Sequence, residues 1–371
     1  MPATSQDRIA NEAILETALS QCSKLSVVLR SADERDNHSL AALRRYVGEV
    51  YSTLWDCAMA SGDVKDVIVY PQNLPNAAPE QWIAQRPDLD RVCSHDSICG
   101  WVSSSASGRG LRFQELEGQG VGGLDAHVSA LNADRRERGL TDVEALHVDP
   151  WPMAACSASL MHNNILFLDD EAYEAQDNDS GGGGGHANGT RDGPNTGEDD
   201  GISGLLGGAR ISATSLYGSV AVGGTFDGMH YGHRKLLTLA VSSVQPQTGR
   251  LLIGVTEDRM LRHKTLAELI PTLEERIEGV RNFVHDLAPG IKNRIRIVPI
   301  SDSYGPPGST NNGDFDALVL SHETLETGHK LNQHRVENLG LEPLTLLCTR
   351  RTEPNGMSST ALRKLRNAGV S

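Results

Sequence analysis

With 371 residues the chain is long enough for two domains that each bury a core, and its 38% apolar content suits globular material. No run approaches eighteen consecutive apolar residues, so a membrane-spanning helix is not expected. The formal net charge of −14 is unevenly divided: residues 216–371 sum to +2 and the remainder to −16, which argues against a general nucleic-acid surface but leaves cations for an anionic substrate in the C-terminal half.

The N-terminal stretch MPATSQDRIANEAILETALS carries acidic residues and no apolar h-region, so no secretory signal is read and the expected location is cytoplasmic. Cysteines at 22, 57, 93, 99, 156 and 348 show no framework spacing, which favours reduced thiols. Cys93 and Cys99 flank His95, but structural zinc takes four ligands, usually from tighter pairs, so no metal is expected there. Residues 24–30 and 64–70 read as strands, and 40–60 as a helix with Leu40, Leu43, Val47, Val50, Tyr51, Leu54 and Cys57 near one face. The loop between the first strand and this helix contains His38. The unit is either a diverged copy of the one at 220–244 or an ordinary α/β repeat. A helix over 131–139 and strands over 143–148 and 165–170 follow, while 85–125 yields no assignment. Trp55, Trp82, Trp101 and Trp151 read as packing anchors in these acidic surroundings.

Residues 174–214 contain five consecutive glycines with Asn and Asp, a composition that cannot bury a core. The expected layout is an α/β domain over 1–173, a flexible linker over 174–214 and a second domain over 215–371. Such a linker spans roughly 35 Å and leaves the halves free in orientation. A fragment from about residue 212 is therefore expected to keep the chemistry of the second half.

That half opens with VAVGGTFDGMHYGHRKLL at 220–237. A short buried strand ends at Gly223 and Gly224, where backbone can approach a ligand, and helical periodicity begins at Tyr231 or Gly232. The junction collects backbone N–H groups and the positive end of a helix dipole, which favour phosphate. His230 and His233 sit on it. Neither GxxxxGK[ST] nor GxGxxG spacing is present.

Strands are predicted at 251–255, 295–300, 317–320 and 344–348. Thr272 and Glu275 form a capping box ahead of a helix carrying Leu273, Ile277, Val280, Val284 and Leu287. Further helices are predicted over 327–338, closed by Gly340, and over 359–367. Alternating strands and helices imply α/β architecture with a doubly wound parallel sheet, preceded by a separate α/β N-terminal domain. Ligands bind such sheets outside the carboxyl ends of the strands. The segments after Val255, Leu320 and Cys348 should thus share a crevice with His230 and His233.

The stretch GGTFDGMHYGH resembles the GTFD and HxGH signature of the nucleotidyltransferase superfamily, implying a Rossmann-like domain. TEDRMLRHKTLAELI, SHETLETGHKLNQHRVENLGL and EPNGMSSTALRKL, which follow the three strands, resemble the eukaryotic branch of phosphopantetheine adenylyltransferase. The likeness spans about residues 218–366 and stops short of the N-terminal half.

It implies transfer of the adenylyl group of ATP to 4′-phosphopantetheine in coenzyme A biosynthesis, with Mg²⁺ accompanying ATP. His233, Thr225 and Lys264 take the catalytic positions. Gly224, Thr225, Phe226, His230, His233, Ser358, Ser359, Thr360 and Arg363 take the ATP-binding ones, with Met357 where isoleucine is usual. Lys264 would hold the phosphate of phosphopantetheine, with Asn332 and Arg335 as weaker substrate contacts. Arg259 and Arg262 either support electrostatically or are merely exposed, and Asp227 reads as a turn residue. No P-loop kinase accompanies these motifs, so the product would pass to a separate dephospho-coenzyme A kinase; neither nucleic acid nor membrane is implied as a partner. Another HxGH enzyme, a cytidylyltransferase or a nicotinamide-nucleotide adenylyltransferase, is the alternative. A class I aminoacyl-tRNA synthetase would need a KMSKS-type loop, and a non-catalytic binding module would not need both histidines and the SST-R motif.

Overall fold

The structure is a computed structural model, and it describes residues 5–29, 40–71, 82–94, 123–148, 216–310, 314–349 and 359–367. The linker, the strand expected at 165–170, and His38, His95, Cys99, Met357 and Ser358 lie outside these residues.

The C-terminal half is built on five parallel strands, β5 (Ser219–Gly224), β6 (Arg250–Thr256), β7 (Ile295–Ile300), β8 (Ala317–Ser321) and β9 (Thr345–Thr349). Their order is β7-β6-β5-β8-β9, so the chain winds outward from β5 in one direction and then crosses back to add β8 and β9. Side chains alternate across a strand, and β5 shows it: Val220 and Val222 enter the core on one face, Ala221 the core on the other. The first core packs under α4 (Tyr231–Ser242) and α5 (Leu273–Leu287), the second under α6 (Leu325–Leu339). Coverage on both faces is what an all-parallel sheet requires.

The local signals read from sequence recur here. Thr272 accepts from the Glu275 N–H and Glu275 reaches back to the Thr272 N–H, completing the capping box, and Gly340 ends α6 at φ 64°. The fold is thus the expected α/β doubly wound sheet, and α7 (Ser359–Asn367) follows β9. The switch point lies between β5 and β8, which opens a crevice at their carboxyl ends.

Upstream, β1 (Lys24–Val28) pairs in parallel with β2 (Asp66–Tyr70) across α2 (Leu40–Ser61), and β3 (Arg91–Ser94) pairs with β4 (Glu144–His147) across α3 (Gly123–Glu137). These strands are separate from the five-stranded sheet. Two helices depart from expectation. The helix α1 (Ser5–Gln21) has a weak signal in the sequence, because Ile9, Ala10, Ala13, Ile14 and Leu15 give no clean polar face. Helix α3 starts at Gly123 rather than 131, within a glycine-rich stretch that resembles a break.

The larger correction concerns the relation of the halves. Ile68, Tyr70 and Ile83 belong to the same core as Val220, Leu237 and Val284, and Tyr231 belongs to the N-terminal core with Tyr51, Leu54 and Trp55. The halves therefore share buried surface, and separating them would return these side chains to water. Trp55 and Trp82 are packing anchors as expected. Burial pushes the Cys57 thiol up to about 12 and the Cys93 thiol to about 11, which keeps both protonated and unreactive. No helix among the described residues is long and apolar enough to cross a membrane.

Candidate active site

The site begins where β5 ends. Phe226 is fully buried and adopts φ 52°, a left-handed conformation that costs a non-glycine residue roughly 1–2 kcal/mol. Its ring turns back under Gly224, where an added Cβ would come within 3.2 Å of it, so a side chain at 224 would force the ring out. The same ring lies 5.4 Å from that of His233. The Phe226 ring is thus spent on packing beneath the turn. A 3₁₀ turn (Asp227–Met229), passing Gly228 at φ 75°, then delivers His230 to the N-cap of α4.

One helical turn brings His230 and His233 together with their rings stacked at 3.9 Å. Burial, then His230, then Lys264 hold the His233 imidazole well below its usual range, so it is neutral near pH 7 and donates from one ring nitrogen only. Its Nδ1 is buried without a hydrogen-bond partner among the described residues.

The loop after β6 supplies Lys264, whose ammonium donates to the Thr225 hydroxyl at 2.9 Å. Burial lowers its pKa, and the Arg363 and Arg276 cations add to that, while Asp227 and Glu323 oppose it. Glu323 lies in the turn after β8, so that segment also faces the crevice. From α7 come Ser359, whose hydroxyl shares a 3.1 Å hydrogen bond with His230 Nε2, and Arg363, which is buried. Arg363 donates to the Thr265 carbonyl at 3.0 Å and to the Thr360 hydroxyl at 3.1 Å, and pairs with the buried Asp227 carboxylate. Ends of β5, β6, β8 and β9 therefore meet as the switch-point rule anticipates.

Other expected residues lie elsewhere. Both ends of the Asn332 carboxamide bond Leu344, as donor to its carbonyl at 2.9 Å and acceptor from its N–H at 2.8 Å. Arg335 is buried and donates to the carbonyls of Glu342 at 2.9 Å and Pro307 at 2.5 Å. Those polar groups brace the entry to β9 instead of facing Thr225 and His233. Arg262 is exposed, and Arg259 pairs with Glu257 at 2.7 Å on the surface.

Arg276 is the residue that the motifs did not single out. Fully buried on α5, it donates to the Thr225 carbonyl at 2.8 Å and the Pro271 carbonyl at 3.0 Å, and pairs with Asp258 at 2.5 Å. It therefore holds the backbone of the residue whose hydroxyl meets Lys264. The signal was present: Arg276, Val280, Phe283, Val284 and Leu287 share one helical face, and a cation on an apolar face must have buried partners.

This half of the chain, at residues 221–365, matches the cytidylyltransferase-like family. The phosphopantetheine adenylyltransferase of Methanopyrus kandleri is 36% identical over 137 residues, which is 37% of this chain and 81% of that relative. For the Archaeoglobus fulgidus protein of the same name the figures are 38% over 132 residues, 34% and 78%. For that of Saccharomyces cerevisiae they are 32% over 158 residues, 41% and 49%, so about half of the yeast relative is spanned. Because the likeness covers 81% of the Methanopyrus and 78% of the Archaeoglobus relative, the chain belongs to the phosphopantetheine adenylyltransferase family and is a nucleotidyltransferase.

Proposed function

We propose that the protein transfers the adenylyl group of ATP to 4′-phosphopantetheine, forming dephospho-coenzyme A and pyrophosphate in coenzyme A biosynthesis. The observation that carries this reading is the direct contact of Lys264 with Thr225 beside the stacked histidines, which sets a cation for the acceptor phosphate against the turn that receives the nucleotide.

The nucleophile is a phosphate oxygen, anionic near neutral pH, so no general base is needed. Its lone pair forms the new bond to the α-phosphorus while the bond to the α–β bridging oxygen breaks, and pyrophosphate leaves with those electrons. What remains for the protein is alignment and stabilisation of redistributed charge. Lys264 orients the attacking phosphate as a point charge, helped by a lowered desolvation cost once a dianion arrives. Thr225 and the neutral His233 donate to the α-phosphoryl oxygens. His230, Ser359, Thr360 and the Arg363 cation hold the distal phosphates at the starts of α4 and α7.

Mg²⁺ would enter as an ion carried by the phosphates of the nucleotide. The Asp227 carboxylate is committed to Arg363, and among the described residues no three His, Cys, Asp or Glu groups are clustered to hold a metal. Mg²⁺ commonly keeps several waters and binds through substrate phosphates. Incubation with MgATP and 4′-phosphopantetheine should release pyrophosphate and yield dephospho-coenzyme A by mass. Activity with CTP or nicotinamide mononucleotide instead, and none with phosphopantetheine, would overturn the assignment.

A further inference from the structure

The residues flanking His233 point away from the crevice and into the N-terminal half. Tyr231, between the two histidines, is 1% exposed, with its ring 6.1 Å from Tyr51 and 6.3 Å from Trp55. Its hydroxyl donates to the Lys65 carbonyl at 3.0 Å. Arg234 donates through Nε to the Met229 carbonyl at 2.9 Å, immediately before His230. Its Nη1 reaches the Asp66 carboxylate at 2.5 Å and the Val67 carbonyl at 2.7 Å, while the guanidinium lies over the Phe283 ring. One planar group thus joins the histidine turn to the start of β2. The Tyr51 hydroxyl adds a third tie, accepting from the Val69 N–H at 3.3 Å and lying 3.4 Å from the Thr238 hydroxyl of α4.

We propose that the N-terminal half is a positioning element of the active site, which seats Tyr231 and Arg234 and through them fixes the turn carrying His230 and His233. The inference rests on the reading that this turn holds the reacting phosphates. Its physical basis is that stacked imidazoles at a helix start have little tolerance: a misplacement of about 1 Å can cost on the order of 100-fold in rate. The Met229 carbonyl is fixed by a donor whose other arm is anchored on β2, so the register of the turn depends on Asp66 and Val67. Neither residue touches the crevice. They act through Arg234.

The test uses the full chain. Arg234→Lys keeps the charge but cannot bridge Met229, Asp66 and Val67 with a planar fork; Asp66→Ala removes the anchor from the far side of the interface. With folding verified by circular dichroism, kcat should fall about 10- to 100-fold for Arg234→Lys and several-fold for Asp66→Ala, with KM for ATP within about threefold of wild type. The double variant should be no worse than Arg234→Lys alone, since both changes cut one linkage. Tyr231→Phe, which keeps the ring and loses the Lys65 bond, should show the same kcat-weighted loss to a smaller extent. A merely stabilising interface would lower the melting temperature and leave kcat per folded molecule intact. That result, or losses that multiply in the double variant, would overturn the proposal.

A readout independent of turnover is the ring ¹H–¹⁵N resonances of His230 and His233, assigned with His230→Gln and His233→Gln. They should move in Asp66→Ala, and unmoved resonances would overturn the proposal. Wild-type protein that fails to adenylylate phosphopantetheine, yet shows the resonance shift, would refute the proposed reaction and leave the positioning role standing.

Discussion

Removing the Arg363 cation should destabilise the fold and the site together. Arg363 and Asp227 are 2% and 1% exposed at the side chain, so Arg363→Met leaves a carboxylate buried without its counter-ion. Breaking a buried pair from one side typically costs about 3–5 kcal/mol, whereas an exposed pair such as Arg250–Asp314, whose side chains are 55% and 72% exposed, contributes at most about 1 kcal/mol. Urea unfolding at pH 7 should show that contrast between Arg363→Met and Asp314→Ala, read from midpoints at an unchanged slope. Neutralising both partners, Arg363→Met with Asp227→Asn, should recover more than half of the loss, because the penalty lies in the orphaned charge and not in the missing attraction. Calorimetric ATP affinity should stay weakened in the double variant, since Arg363 also holds the Thr360 hydroxyl, which the proposed function assigns to the phosphates. A single variant costing under about 1 kcal/mol, or a double variant equal to the sum of the singles, would refute the account.

Three further outcomes are expected. His233→Ala should fold, bind ATP within a few-fold of wild type and lose at least about 100-fold in kcat, as removal of a donor aimed at the transition state does; a rise in KM alone would assign it to ground-state binding. The folded-state pKa of His233 lies below its unfolded value of about 6.5, so the unfolded chain binds the extra proton first: this contribution to stability is present above about pH 6.5 and is lost as pH falls below it. Thermal melts of His233→Gln should therefore decline less steeply than wild type between about pH 6.5 and 5, and parallel curves would refute the burial argument. A fragment from about residue 212 to 371, expected from the motifs to be self-sufficient, should instead melt lower or aggregate, because it exposes Tyr231 and the faces of α4 and α5 that contact β2; a fragment with wild-type stability and kcat would contradict this.

Periodicity, caps and motif spacing determine a great deal of this protein on their own. Strands 220–224 and 251–255, the Thr272–Glu275 cap and the glycine stop at 340 are encoded within a few residues of where they act, so sequence alone reveals them. The histidine pair is equally local, since three residues of helix bring the rings together. The destinations of long polar side chains are not. Arg276, Arg335, Arg363 and Asn332 are all directed at carbonyls or carboxylates on other segments, and which of them serve the crevice depends on how the sheet order brings those segments together. The same holds for the docking of the two halves. Tyr231 reads in the sequence as the variable position of HxGH, and only the packed structure turns it outward from the site into a core more than 160 residues upstream. Burial is a property of the assembled chain, so the residues that answer to it become visible only in three dimensions.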